Sequence, residues 1–312
     1  MTGLVSEQPL PRSVRRAIVL PFTLVTLLWG STWLIIRDQL GTVPPSWSIT
    51  YRFVIAAAAM FVIARWRGEP LGLSRRGQGV AAAFGIMLYG VNFNCVYRAE
   101  EHVTSGLVAV LFALLIVPNT ILARVFLGQG VSRRFLAGSV IALGGIALLF
   151  AHELSGVAAR PREIALGIGL TLTAVMAAAV SNVMQGGAAA RAQPVATLIA
   201  WGMTWGALAD GLFAWMTAGP PVFDWRPGYV AGLLYLSLAA SALAFLLYFN
   251  LIRLIGAGRA AYTSVLVPVL AMTLSTLFEG YRWSLVAACG GLLALAGLAV
   301  ALSARRPSRQ DG

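Results

Sequence analysis

Gly106-Leu-Val-Ala-Val-Leu-Phe-Ala-Leu114 and Gly258-Arg-Ala-Ala-Tyr-Thr-Ser-Val-Leu266 open two passages that align at a constant offset of 152 residues. The first runs from Gly106 to Leu149 and the second from Gly258 to Ala301. Gly106 matches Gly258, Ala109 matches Ala261, and Gly128 matches Gly280. Further on, Gly138 matches Gly290, Ala142–Leu143 match Ala294–Leu295, and Gly145 matches Gly297. Each passage holds two apolar runs of membrane-spanning length, so the chain is built on an internal repeat.

The composition leaves few alternatives to a membrane protein. Of 312 residues, 59% are hydrophobic and 11% charged, against roughly 25% charged in a soluble domain. A bilayer core about 30 Å thick takes roughly 20 apolar residues of helix. Ten segments qualify: Ala17–Ile36, Trp47–Ala64, Gly77–Tyr97, Val103–Phe126, Phe135–Ala151, Ile164–Ala190, Pro194–Ala218, Gly228–Ile252, Gly256–Phe278 and Trp283–Ser303. Turn chemistry such as Val43-Pro44-Pro45, Gly68-Glu69-Pro70 and Gly219-Pro220-Pro221 separates them. The first run has a basic flank but no small-residue cleavage site, so it reads as a span and not a signal peptide. The net charge of +12 sits in short loops and termini, which argues against nucleic acid as a partner. Cys95 and Cys289 fall inside apolar runs and make neither a disulfide nor a metal pattern.

Orientation follows from the basic residues, all 23 of which are arginine. With the N-terminus cytoplasmic, 16 lie inside, 6 outside, and Arg52 lies within a span. The bias follows the positive-inside rule and predicts both termini in the cytoplasm. Five spans separate the two copies of the repeat. Five is odd, so the copies are expected to be inverted. Two inverted repeats of membrane spans are the scaffold of many transporters. Earlier in each half, Pro45–Arg52 matches Pro194–Trp201 at an offset of 149, which places Trp33 opposite Asn182.

Enzymatic chemistry finds no foothold. His102 and His152 fall in predicted outer loops. The chain has no His-Glu-x-x-His, no Gly-x-Ser-Gly and no completed Gly-x-Gly-x-x-Gly, and no ligand set suits a metal or redox centre. The expectation is a protein that is not an enzyme and holds no cofactor. Ionisable residues inside spans are costly and count as functional candidates. Arg52 and Asp210 qualify, as a mobile ion pair, a gate or a substrate contact. The competing structural reading has Arg52 snorkelling to the outer headgroups and Asp210 satisfied by neighbouring helices, and it is the stronger of the two. Spans one, three, four, six and eight hold no carboxylate, which argues against a cation/proton antiporter.

Neutral polar and aromatic residues cluster at helical spacing. Tyr89, Asn92, Phe93 and Tyr97 share a face of span three, and Trp29 and Trp33 a face of span one. Span six carries Asn182 and Gln185, and span eight Phe245 and Tyr248. Amides within a bilayer need partners, so these face the bundle or a wet cavity. Trp29, Trp33, Tyr89, Asn92, Phe93, Asn182, Gln185 and Tyr248 are the candidate substrate contacts. The alternative is helix–helix hydrogen bonding for the amides and interfacial belt positions for the aromatics at span ends, Tyr97, Trp47, Trp66, Trp225, Tyr281 and Trp283. Pro118 and Pro268 bend their helices and are candidate hinges.

With these residues in view, the chain resembles the EamA-type transporters of the drug/metabolite transporter superfamily. Leu27-Leu-Trp-Gly-Ser31 is similar to that family's opening motif, and Pro44-Pro45 with Tyr51-Arg52-Phe53 to its second span. Gly106–Leu114, Ala123-Arg124, Leu127-Gly128 and Leu143-Gly-Gly145 carry the likeness onward. Val267-Pro268, Gly290 and Ala296-Gly297 carry it in the second copy. Ile116, Gln129 and Tyr281 depart from the family pattern. The tryptophan of span one and the aromatic-rich span three resemble especially the ten-span amino-acid exporters of the YddG type. The resemblance implies ten helices in two inverted five-helix repeats around a central cavity, and export of small metabolites, often amino acids.

The expected organisation is therefore an all-α, polytopic membrane protein. Residues 1–16 form a cytoplasmic segment, 17–151 the first repeat, 164–303 the inverted second repeat, and 304–312 a cytoplasmic tail. The expected partners are a small-molecule substrate and the lipid bilayer of the inner membrane, with the protein acting as a monomer. Export of nucleotide-sugar-like anions, or a scaffold or receptor without transport, are the rival readings.

Overall fold

The computed structural model describes residues 12–103, 105–155, 161–278 and 285–302. Among them the regular structure is all helical. We number the long helices α1 (Arg12–Gln39), α2 (Pro45–Trp66), α3 (Arg75–His102), α4 (two pieces, Ser105–Ala113 and Ile116–Leu127) and α5 (Arg133–Ser155). The second half continues with α6 (Pro161–Gly186), α7 (Val195–Ala218), α8 (Pro227–Ile255), α9 (Tyr262–Phe278) and α10 (Leu285–Leu302). Four helices are long and apolar enough to cross a bilayer: Pro45–Trp66, Arg75–His102, Arg162–Gly186 and Pro227–Ile255. Shorter apolar stretches occur at Ala17–Trp33, Leu111–Leu127 and Ala288–Ala301. Exposed Val125, Phe126, Leu212 and Leu292 give the outer surface the apolar character that acyl chains require.

The helix boundaries follow from local chemistry. Pro45 opens α2 at a position whose N–H needs no partner. Ser74 caps α3 by accepting the Gly77 N–H at 3.1 Å. Glu69, in the turn after α2, caps a different helix. Its Oε2 accepts the N–H groups of Ala196 and Thr197 at 3.0 and 3.1 Å, joining that turn to the start of α7. Gly128 ends α4 in the left-handed conformation, φ 61°. Between α7 and α8, the backbone N–H of Arg226 and then its guanidinium hold the Asp224 carboxyl below the usual carboxylate range.

Two helices contain π-helical stretches, Ile86–Asn92 in α3 and Tyr235–Leu243 in α8. Both begin at the offset of 149 that relates Pro45 to Pro194. A π turn leaves carbonyls out of the regular ladder, and side chains collect one in each. Asn94 Nδ2 donates to Gly90 O at 3.1 Å, and Trp29 Nε1 to Ala240 O at 3.1 Å.

The halves meet along glycine seams. A Cβ on Gly138 would fall 2.6 Å from the Gly297 carbonyl oxygen, and one on Gly297 would fall 2.7 Å from that of Gly138. Gly145 makes the matching approach to Ala294 and Gly290, where a Cβ would lie 2.6 Å from the Gly290 oxygen. The two passages that align in the sequence thus pack against each other through their own matched glycines, α5 on α10. A second seam, Gly85 on Gly202 with Gly206 against Tyr89, draws α3 onto α7, as small residues do between membrane helices.

Several expectations about exposure are overturned. Tyr97 is fully buried, and Trp47 is buried with its Nε1 donating to Gly219 O at 3.2 Å; neither stands in an interfacial belt. Trp66 and Trp225, by contrast, are 85% and 82% exposed, as belt positions would be, and Tyr281 and Trp283 lie outside the described residues. Of the two cysteines, Cys95 is half-buried and Cys289 exposed.

Candidate functional site: a cavity between the halves

The halves enclose a cavity of about 100 Å³, room for several waters. Its walls come from α1, α2, α3, α4, α6, α8 and α9. Trp29 and Trp33 face it from α1, and Ala178 and Asn182 from α6, at the offset of 149 once more. The two halves therefore present positions related by that offset to one space with unlike chemistry: two indoles against a methyl and an amide.

One wall is aromatic. The Trp29 ring lies 4.8 Å from that of Tyr248 and 5.3 Å from that of Phe245. The Trp33 ring meets that of Phe112 edge-on at 6.1 Å. Such pairs are rigid apolar surfaces for the hydrocarbon part of a ligand. Polar groups are few. Asn92 Nδ2 donates to Ala174 O at 2.7 Å. Asn182 Nδ2 donates to the Tyr248 hydroxyl at 3.2 Å and stands 3.5 Å from Asn119 Oδ1. This group closes the predicted inner end.

Arg52 closes the predicted outer end, and it does not snorkel. It is 1% exposed. Its Nε donates to Ser241 Oγ at 2.8 Å, and one terminal nitrogen lies 3.4 Å from the Tyr97 hydroxyl. Tyr97 in turn stands 3.4 Å from Gln39 Oε1. The guanidinium lies 4.6 Å from the Phe93 ring centroid and 5.5 Å from that of Phe53, a cation–π arrangement. Among the described residues no carboxylate is within ion-pairing distance of Arg52. A desolvated guanidinium with no carboxylate beside it among the described residues is expensive.

Six of the eight candidate contacts, Trp29, Trp33, Asn92, Phe93, Asn182 and Tyr248, line the cavity together with Arg52. Tyr89 and Gln185 lie outside the lining. Tyr89 is fully buried against Phe53 and Phe245, with its hydroxyl unpartnered. Gln185 is also fully buried, with both amide atoms unpartnered. Asp210 belongs to another hollow and does not pair with Arg52. Pro118 and Pro268 sit beside the site: Pro118 precedes Asn119, and Pro268 follows the lining residue Val267. Spacing did not single out Thr32, Phe112 and Ser264, which also line the cavity. Below the Asn119 layer, Thr120, Gln129, Arg191, Arg253 and Arg259 line a polar cleft of about 440 Å³.

A helical bundle whose two halves repeat, and which encloses an amphipathic cavity where they meet, defines a membrane transporter. The chain belongs to the EamA-like transporter family, which matches residues 16–151 and 165–303. It is similar to protein PagO of Salmonella typhimurium, 26% identical over 86% of this chain and 87% of that protein. It is also similar to a probable amino-acid metabolite efflux pump of the same organism, 25% identical over 93% of this chain and 97% of the pump. A crystal structure of a protein 20% identical shares the fold, with a TM-score of 0.74 over 94% of this chain and all of that one.

Proposed function

We propose that this chain exports a small zwitterionic or singly anionic metabolite, an amino acid above all, by alternating access across the inner membrane. It does so as a monomer without a cofactor, through ten spans in two inverted five-helix repeats, with both termini in the cytoplasm. The observation that carries this reading is the pairing, in one cavity, of an aromatic wall with a buried arginine that meets no carboxylate among the described residues. Arg52 takes the carboxylate in a charge-assisted pair. Trp29, Phe93, Phe112 and Phe245 take the apolar side chain. Asn92, Asn182 and Tyr248 meet the ammonium and the remaining polar edge. Rearrangement of the Arg52–Tyr97–Gln39 layer would open one side, and of the Asn119–Asn182–Tyr248 layer the other.

A nucleotide-sugar-like anion is a poorer fit, because its diphosphate would need more than the single guanidinium in this lining. A scaffold without transport predicts a dry contact between the halves, where a cavity lies instead. The test is uptake and counterflow of labelled amino acids in proteoliposomes. Movement of none of them above the rate of empty liposomes would sink the substrate assignment.

A further inference from the structure

On the opposite side of α3 from the central cavity lies a separate hollow of about 310 Å³. Gly90, Asn94, Cys95 and Arg98 of α3 line it with Asp210 and Phe213 of α7. Three polar atoms of these residues have no partner among the described residues: Asp210 Oδ2, Asn94 Oδ1 and Arg98 Nε. Asp210 is 1% exposed. Its Oδ1 accepts Asn94 Nδ2 at 2.6 Å, and the same amide nitrogen donates to Gly90 O at 3.1 Å, within the π-helical stretch.

Arg98 does not neutralise this carboxylate. Its guanidinium stands 5.2 Å from the Phe213 ring centroid and 3.4 Å from Ser46 Oγ, and among the described residues no cation is within ion-pairing distance of Asp210. The other titratable or charged groups nearby are Cys95, Tyr97 and Glu100 of α3 and Arg52 of α2, and Arg52 is directed to Ser241. A carboxylate buried at membrane depth with one oxygen open costs free energy until something neutralises it. Sodium would need several oxygens, and only two stand open here beside an arginine. A proton needs one.

We propose that Asp210 is a proton-binding site that couples a proton gradient to movement of substrate. Neutralising Asp210 weakens its bond to Asn94, and Asn94 also holds the Gly90 carbonyl. The same π stretch carries Leu88 and Asn92 into the central cavity, so protonation on one face of α3 is felt on the other. This inference rests on the transport reading, and the experiment separates the two.

In proteoliposomes, gradient-free exchange of labelled amino acid reports transport itself. An imposed pH gradient should raise flux, normalised to that exchange, several-fold in the wild type. Asp210→Asn should abolish the gain, and Asn94→Ala should reduce it. The purified protein gives a readout that needs no transport: its melting midpoint should depend on pH, and Asp210→Asn should weaken that dependence. A wild-type midpoint and flux indifferent to pH, or a response to sodium against choline in place of pH, would overturn the proposal. Exchange without any pH response would leave the transport reading standing while removing this one.

Discussion

The Trp29 indole donates to the carbonyl of Ala240 at 3.1 Å, so the aromatic wall is fastened to the π-helical stretch of α8. The acceptor is available because that stretch departs from the regular ladder. Trp29→Phe keeps a ring but leaves a buried carbonyl without its donor, at about 1–3 kcal/mol. The expected outcome is a lower melting midpoint with reduced amino-acid exchange. Trp29→Ala also removes the ring contacts with Phe245 and Tyr248 and should cost about 3–5 kcal/mol.

Arg52 should set preference for a carboxylate. Arg52→Gln should raise the KM for amino acids at least about ten-fold, the equivalent of 1.4 kcal/mol. Arg52→Lys should recover only part of the loss, because an ammonium lacks the planar fork. Competition assays add a second check. Amino-acid amides should compete poorly with the wild type and as well as the parent amino acids with Arg52→Gln.

Adjacent glycines of α5 should behave oppositely. A Cβ on Gly145 would run into the backbone of Ala294 and Gly290, whereas one on Gly144 has nothing within 4 Å. Gly145→Ala should therefore destabilise by about 1–3 kcal/mol, and Gly144→Ala should be neutral or mildly stabilising. Melting in detergent compares the two directly.

Glu69 should tie the α2–α3 turn to α7. Glu69→Ala removes the acceptor for Ala196 and Thr197 N–H and should cost about 1 kcal/mol. Glu69→Gln keeps an acceptor oxygen and should cost less. Proteolytic nicking of that turn offers a local readout beside the melting midpoint.

Asp224 should contribute to the acid limb of stability. Its folded carboxyl is held below the usual range, so the stabilisation is present above the ordinary carboxylate range and lost as pH falls through the lowered value. Asp224→Asn should flatten that part of a melting-midpoint profile measured from acid to neutral pH.

The architecture and most of the cavity could be read from residue types, for reasons that differ by position. Helical spacing of amides and indoles in apolar runs points at Trp29, Trp33, Asn92 and Asn182, because such groups cannot face lipid. Tyr89 misleads because it lies in the π stretch. A regular helix would put it on the face of Asn92 and Phe93, but the wider turn shifts the phase and sends it toward Phe53 and Gly206. Phe112, Thr32 and Ser264 are ordinary members of apolar runs, and only the fold sets them apart. Arg52 misleads in another way. Its distance from the span end permits snorkelling, and the Ser241 hydroxyl on α8, far away in sequence, draws it inward.

The α5–α10 seam has the geometry of a homodimer interface carried inside one polypeptide. In a true homodimer every substitution occurs twice, whereas a fused chain can alter one side alone. The seam cannot use that freedom, because a side chain on either strip meets the backbone of the other. The cavity can use it, and Trp33 stands across from Asn182. If the cavity takes a substrate as proposed, fusing two like units is what would let it tell the head of that substrate from its tail, which a perfectly two-fold site could never do.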